Sequence, residues 1–225
     1  MSNLRDSIFT KENSEIIMTF YAHASVGIEW EGVHIYIDPV GEKYGIDFSN
    51  EPKADLILVT HQHSDHLDIQ VIEELSKSDT KLYVSKECLK LVSADVLKPF
   101  EAKVIKGIEI YSVPAYNITP SHIQYHPKHN EGLGYVVNIG GTNIYVAGDT
   151  EDNADVLSLK NIDIAFLPVN QPYTMTIEQV INVVDRIRPT ILCPYHTASQ
   201  MGETDVKPLV ERLGSICDVR IRNMK

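Results

Sequence analysis

Cysteine is scarce. Cys88, Cys193 and Cys217 are widely spaced and form no Cys-x-x-Cys pair, so neither a disulfide framework nor a thiolate zinc site is expected. Long apolar runs are missing too: no stretch approaches the roughly 18 residues of a bilayer span. The opening MSNLRDSIFTKENSE lacks the apolar stretch of a secretory signal. These absences lead us to expect a soluble, cytoplasmic protein with no membrane partner. Positive charge is in short supply, with 20 Lys and Arg against 31 Asp and Glu and a formal charge of −11. Such a surface repels phosphate backbones, which argues against a long nucleic acid as partner. A bound divalent cation adds positive charge locally, so an acidic protein can still act on a small anion. No Pro/Ser-rich linker, low-complexity tract or short-period repeat divides the chain, and one domain over residues 1–225 is expected.

What is present is β-rich and ordered. From Ile16 the sequence breaks into short β-rich runs with Gly32 at a hairpin tip, and ADLILVT (54–60) has the unbroken apolar character of a strand buried on both faces. DIQVIEELSK has helical spacing at Ile69, Ile72 and Leu75, KLYVS reads as a strand, and KECLKLVSA reads as a short helix. The second half repeats the theme. VIKGIEIYSVPA is followed by LGYVVNIGGTNIYVAGDT with Gly140 and Gly141 as a two-residue turn, then by IDIAFLPV, TIEQVINVVDRIRP, TILCPYH, DVKPLVERLG and CDVRIR in strand–helix alternation. The stripe Val180, Val183, Val184 and Ile187 is core packing. β segments open each half and αβ alternation closes each, which predicts an α/β protein of two sheets packed face to face with helices outside. One connection, 114–132, carries three prolines and three histidines without periodicity, the mark of a lid or binding loop.

The chemistry is concentrated in LILVTHQHSDHLD (56–68), which holds three of the nine histidines. Residues two apart in an extended segment project to one side, so His61 and His63 can offer imidazoles to one point. Asp65 and His66 follow where the chain turns into the helix, and suit a second point a few ångströms away. Composition alone yields His-x-His-x-Asp-His on the order of once in a thousand such chains. A metal needs further ligands at other strand ends, and Asp149 in AGDT and His196 in PYH stand there. His122, His126 and His129 in the long loop supply candidates for one more.

THQHSDHLD, followed by HPKHNEGLGY, AGDT and PYH, resembles the metallo-β-lactamase-fold superfamily. Within it the chain is most similar to the small single-domain hydrolases related to ascorbate-phosphate lactonases. The early HASVGIEWEGVHIYIDP extends the likeness over nearly the whole chain. The resemblance implies a four-layer αβ/βα sandwich with two divalent metal ions: His61, His63 and His126 on one, Asp65, His66 and His196 on the other, and Asp149 bridging. His126 is favoured over His122 and His129 by its distance from GLGY. Asp38 in IDP stands at the family's usual acidic position, behind the ligands. Zinc suits this donor set best, and manganese, iron or nickel can occupy the same ligands. The function implied is hydrolysis of a small ester, lactone or phosphodiester, an anion included, by a hydroxide held between the metals, with Asp65 or His196 passing a proton to the leaving group. Redox use of this scaffold usually needs iron and an acidic residue where His63 stands. The competing readings are a small phosphodiesterase or nuclease, and a metal-binding or regulatory protein on a catalytic scaffold.

Candidates to line the pocket are His23, Tyr116, Asn117, Lys128 and Tyr173, each with an ordinary alternative: a structural histidine or hydrogen-bonded side chain, and for Lys128 a solvated surface charge. His34 reads as a plain strand residue and Cys193 as a small buried hydrophobe.

Overall fold

Alternation along the central strands dictates the layering. A computed structural model describes residues 4–224. In the strand Leu56–Val59, Leu56 and Leu58 enter one apolar cluster while Ile57 and Val59 enter another, so both faces are buried and the run reads as continuously apolar.

That strand is β5 of a first sheet made by β1 (Leu4–Phe9), β2 (Glu15–Phe20), β3 (Val26–Trp30), β4 (Val33–Ile37), β5, β6 (Lys81–Val84) and β7 (Asp95–Val96), in that spatial order. Neighbours are antiparallel as far as β4 and parallel from there on. A second sheet repeats the plan with β8 (Ala102–Ile105), β9 (Ile108–Pro114), β10 (Leu133–Ile139), β11 (Thr142–Val146), β12 (Ile164–Pro168) and β13 (Ile191–Tyr195). After a small hairpin of β14 (Ala198–Ser199) and β15 (Gly202–Glu203), β16 (Asp218–Val219) joins the second sheet beside β13. The inner faces share one core in which Phe20, Ile35 and Leu58 meet Tyr135, Ile144 and Phe166. Helix α1 (Ile69–Leu75) covers the outside of the first sheet. Helices α2 (Ala154–Leu157), α3 (Ile177–Ile187) and α4 (Lys207–Leu213) lie against the outside of the second, with Val180, Val183, Val184 and Ile187 buried there. The order helix, sheet, sheet, helix is the expected four-layer sandwich. Among the described residues no helix is long and apolar enough to cross a membrane.

Local chemistry explains the boundaries. Gly140 and Gly141 take φ of 51° and 73°, the left-handed pair that a tight two-residue hairpin demands. A capping box between Thr176 and Gln179 starts α3, and Arg188 in the left-handed region ends it ahead of Pro189.

Two segments differ from expectation. Leu4–Phe9 carries Arg5, Asp6 and Ser7 and has no apolar run, yet it is a strand because it pairs along its whole length with β2, and Asp6 accepts from Arg220 and Arg222 near the C-terminus. KECLKLVSA is a 3-10 turn over Lys86–Lys90 followed by β7, not an α-helix: its first residue has no side-chain cap and only Cys88 is buried.

The end of β5 away from its histidines is tied down by charge. Asp55 is buried, accepts from the His34 amide at 2.9 Å and from Lys77 Nζ at 2.6 Å, and also takes Lys106 from the β8–β9 turn of the other sheet. Burial pushes its carboxyl up, but Lys106, Lys77 and the His34 amide more than offset this and hold it at about 2. A depressed carboxylate contributes stability that is complete above its unfolded value and lost as pH falls through the folded one. Asp55→Asn should therefore cost about 1–2 kcal/mol near neutral pH, discounted because both lysines reach solvent. The difference from wild type in urea denaturation should shrink between about pH 4 and pH 2. A difference independent of pH would show that the charge contributes nothing.

Candidate metal centre

Thr60 anchors the motif as β5 ends: its amide and hydroxyl both donate to Asp38, at 2.7 Å each. The chain then passes through His61 and His63, and turns where the amides of His66 and Leu67 donate to His63 O. Asp68 caps α1 by accepting from Gln70 N and Val71 N. One strand end, one turn and one helix start thus present four side chains from six consecutive residues to the rim between the sheets.

The rest arrive from other strand ends. Asp149 follows β11, where Gly148 at φ 64° lets the chain pass so close that a Cβ would sit 2.6 Å from Leu133 O. His196 follows β13 and His23 follows β2, both in the left-handed region, with the His196 amide donating to His23 O at 3.0 Å. His126 comes from the long loop.

Two groups of possible ligands result, one of His61, His63, His126 and Asp149, the other of His23, Asp65, His66 and His196, with the donor atoms in each group all within 4.8 Å of one another. Asp149 lies between them. Its Oδ2 is 3.2 Å from His126 Nε2, 3.8 Å from His61 Nε2 and 3.2 Å from His196 Nε2, and its Oδ1 is 3.3 Å from His66 Nε2. Asp65 Oδ2 is 3.3 Å from His23 Nε2 and 4.0 Å from His196 Nε2. All except His63 and Asp65 are buried.

His61 Nε2 and His126 Nε2 lie 3.1 and 3.3 Å from His63 Nδ1, but other converging atoms are left unsatisfied. His23 Nε2, His66 Nε2, Asp149 Oδ1 and both ring nitrogens of His196 are buried with no hydrogen-bond partner, although each unmet buried group costs about 1–3 kcal/mol. The outer atoms are well held. His66 Nδ1 donates to Asp38 Oδ2 at 2.7 Å, His126 Nδ1 to Tyr173 O at 3.0 Å, and His61 Nδ1 lies 3.0 Å from Thr60 Oγ1. Imidazoles fixed from behind, with Nε2 directed at a shared point, are the arrangement that cation ligation requires, so the donor set fits divalent metal ions.

Electrostatics point the same way. Burial, then the facing His66, hold His61 well below the usual histidine range, and burial, then His126, lower His63. Burial lowers His23 to about 4 against the opposing pull of Asp65. Burial would raise Asp149, but His196, His66 and His126 outweigh it and keep the carboxyl ionised; for Asp65 the offset comes from His23 and His66. His66 runs against burial and is held up by Asp149 and Asp38. Ionised carboxylates beside imidazoles that burial disposes to stay neutral, as at His23, His61 and His63, are what a metal finds ready.

A cavity of about 680 Å³ opens onto His23, His63, Asp65, His126, Asp149 and His196, a volume suited to a small molecule. His61 and His66 lie behind it. Of the other residues expected near the pocket, Tyr173 lines the cavity. Asn117 is buried and donates to Tyr173 O and His122 O, bracing the loop and not facing the cavity. Tyr116 and Lys128 are corrected: Lys128 Nζ sits 3.1 Å from the Tyr116 hydroxyl and 4.3 Å from its ring centroid, beside Asp155, in a separate groove. The tyrosine ring and that carboxylate draw the ammonium away from the centre. His122 pairs with Glu151 at 3.3 Å and His129 is exposed, which leaves His126 as the loop histidine at the centre.

Three residues escaped sequence reasoning. Glu151, wholly buried, accepts from the amides of Ile118 and Thr119 and pins the loop that carries His126; its position two after Asp149 was the available signal. Lys43 and Tyr44 line the cavity mouth from a glycine-bracketed turn, GEKYG, that follows IDPV.

Comparison with known proteins agrees with this architecture. A family model described as the beta-lactamase superfamily domain matches residues 17–196. A UPF0173 metal-dependent hydrolase of Thermococcus kodakarensis is 31% identical over 191 residues, 79% of this chain and 82% of that protein. A crystal structure of a protein assigned as a metal-dependent hydrolase from Parabacteroides distasonis is 41% identical and superposes with a TM-score of 0.92 over the whole of both chains. Igni18, a metallo hydrolase of Ignicoccus hospitalis, shares the fold at 22% identity and a TM-score of 0.76, covering 93% of this chain and 95% of its own. The chain belongs to the beta-lactamase superfamily, and within it to the UPF0173 metal-dependent hydrolases.

Proposed function

We propose that this protein is a hydrolase that works with two divalent cations, zinc by the preference of its donors, on a small ester, lactone or phosphodiester. The observation that carries the reading is the position of Asp149, whose two oxygens face histidines of both groups. His61, His63 and His126 would hold one ion and Asp65, His66 and His196 the other, with Asp149 reaching both and His23 standing beside Asp65. Bound there, the cations would supply a nucleophile from water near neutral pH and take up negative charge at the reacting centre.

The chain's own residues do the rest. Asp38 and Tyr173 O fix the rings of His66 and His126 from behind. Asp65 or His196, both of which face the cavity, would take the proton released by the attacking water and pass it to the leaving group. Tyr44, Tyr125 and Tyr173 wall the cavity and exclude water from the substrate's apolar part. The likeness to ascorbate-phosphate lactonases adds a cyclic ester to the substrates worth testing.

Purified protein loaded with zinc or manganese should turn over at least one member of a panel of lactones, thioesters, small phosphodiesters and β-lactams, and lose that activity on chelation. Tight metal binding with no turnover across the panel would favour a metal-binding protein on a catalytic scaffold.

A further inference from the structure

The cavity contains histidines and carboxylates at its floor, and among the described residues Lys43, at the mouth, is the one Lys or Arg that lines it. Most lysines that touch carboxylates here are engaged, among them Lys77, Lys106 and Lys128. Lys43 makes no ion pair among the described residues, and its ammonium lies 5.4 Å from the ring centroid of Tyr44.

The turn that presents the pair is built for the purpose. The amides of Tyr44 and Ile46 donate to Gly41 O, at 2.9 and 3.1 Å, and the Gly41 amide reaches Asp68, the residue that caps α1 just after the histidine motif. A side chain at Gly41 would collide with Val71 at 2.8 Å, so the turn sits tight on the helix that the motif starts. Gly45 closes it at φ 68°. The Tyr44 ring stacks on His23, centroids 4.9 Å apart and planes at 12°, which fixes the ring between the metal centre and Lys43. Tyr125 and Tyr173, edge to face at 4.9 Å, belong to the same cavity wall.

We propose that this turn selects the substrate: Lys43 receives a carboxylate carried on a flat apolar body that lies along Tyr44, while the scissile bond reaches the His/Asp centre. The inference rests on the hydrolase reading for the last clause alone. Among the described residues no arginine fork or second cation joins it in the cavity wall, and a single ammonium matches one negative charge and not a phosphate dianion. The chain's overall charge of −11 makes that local cation the feature able to favour an anion outside the metals themselves.

The test measures binding and turnover separately in metal-loaded protein at low salt, with 2-naphthoate against 2-naphthamide as binding probes and 4-acetoxybenzoate against 4-acetoxybenzamide as substrates. Wild type should bind naphthoate about fivefold more tightly than the amide, the scale of one partly exposed ion pair. Lys43→Gln should bring the ratio to about one and Lys43→Glu should reverse it, with naphthamide affinity unchanged in both. For the esters the same variants should raise KM for the anion and leave kcat in place. A naphthoate preference that Lys43→Glu leaves intact, or binding of neither probe, would overturn the inference. Lys43-dependent binding with no hydrolysis of either ester, nor of any member of the panel above, would instead remove the hydrolase reading and leave the anion site standing.

Discussion

Asp149→Asn should fold like the wild type and lose turnover on the order of 10³-fold or more. The substitution keeps the shape and one carbonyl acceptor, so the buried position loses no volume, and far-ultraviolet circular dichroism should be unchanged. What it removes is the charge that faces His61, His126, His196 and His66 together. Among the described residues no other carboxylate faces both groups of candidate ligands, so with two ions proposed there, both should be held less tightly and bound metal should fall by elemental analysis. A variant that retained the wild-type rate would mean that Asp149 only packs.

Asp38→Ala should be damaging for a different reason. Asp38 is fully buried, accepts from Thr60 N, Thr60 Oγ1 and His66 Nδ1, and does not line the cavity at the metal centre. Its loss would strand those three donors in a dry interior, and stability of the metal-free protein in urea should drop by about 3–5 kcal/mol. His66 would also lose the contact that orients its ring, and affinity at its metal position should fall about 10–100-fold. Asp38→Asn keeps an acceptor for Thr60 and should recover most of the stability while metal affinity stays low. If both variants bound metal like the wild type, support of His66 by Asp38 would be excluded.

The two substitutions also mark what could be read from the chain. The histidine motif was legible because its chemistry is compressed into a few residues after a strand whose apolar run is unmistakable, and Asp149 and His196 were legible because each directly follows another such strand. Both faces of β5 and β13 are buried, so their sequences could not be mistaken for surface. Lys128 and Tyr116 were misplaced because nearness to His126 along the loop says nothing about direction, and Asp155 on α2 captures the lysine. Lys43 and Tyr44 were invisible for the converse reason: they lie about twenty residues from the motif, and contacts made on folding, the Gly41 hydrogen bond to Asp68 and the Tyr44 stack on His23, bring them to its side. Edge strand β1 was missed because pairing with β2, a non-local event, makes a strand of a polar segment.

The proposed chemistry requires two cations sharing one carboxylate, and counting metal per chain tests that requirement most directly. Metal-free protein titrated with zinc and followed by calorimetry and elemental analysis should take up two equivalents, one for each group of ligands, and Asp149→Asn should weaken both. Saturation at a single equivalent, with Asp149→Asn binding as tightly as the wild type, would contradict it.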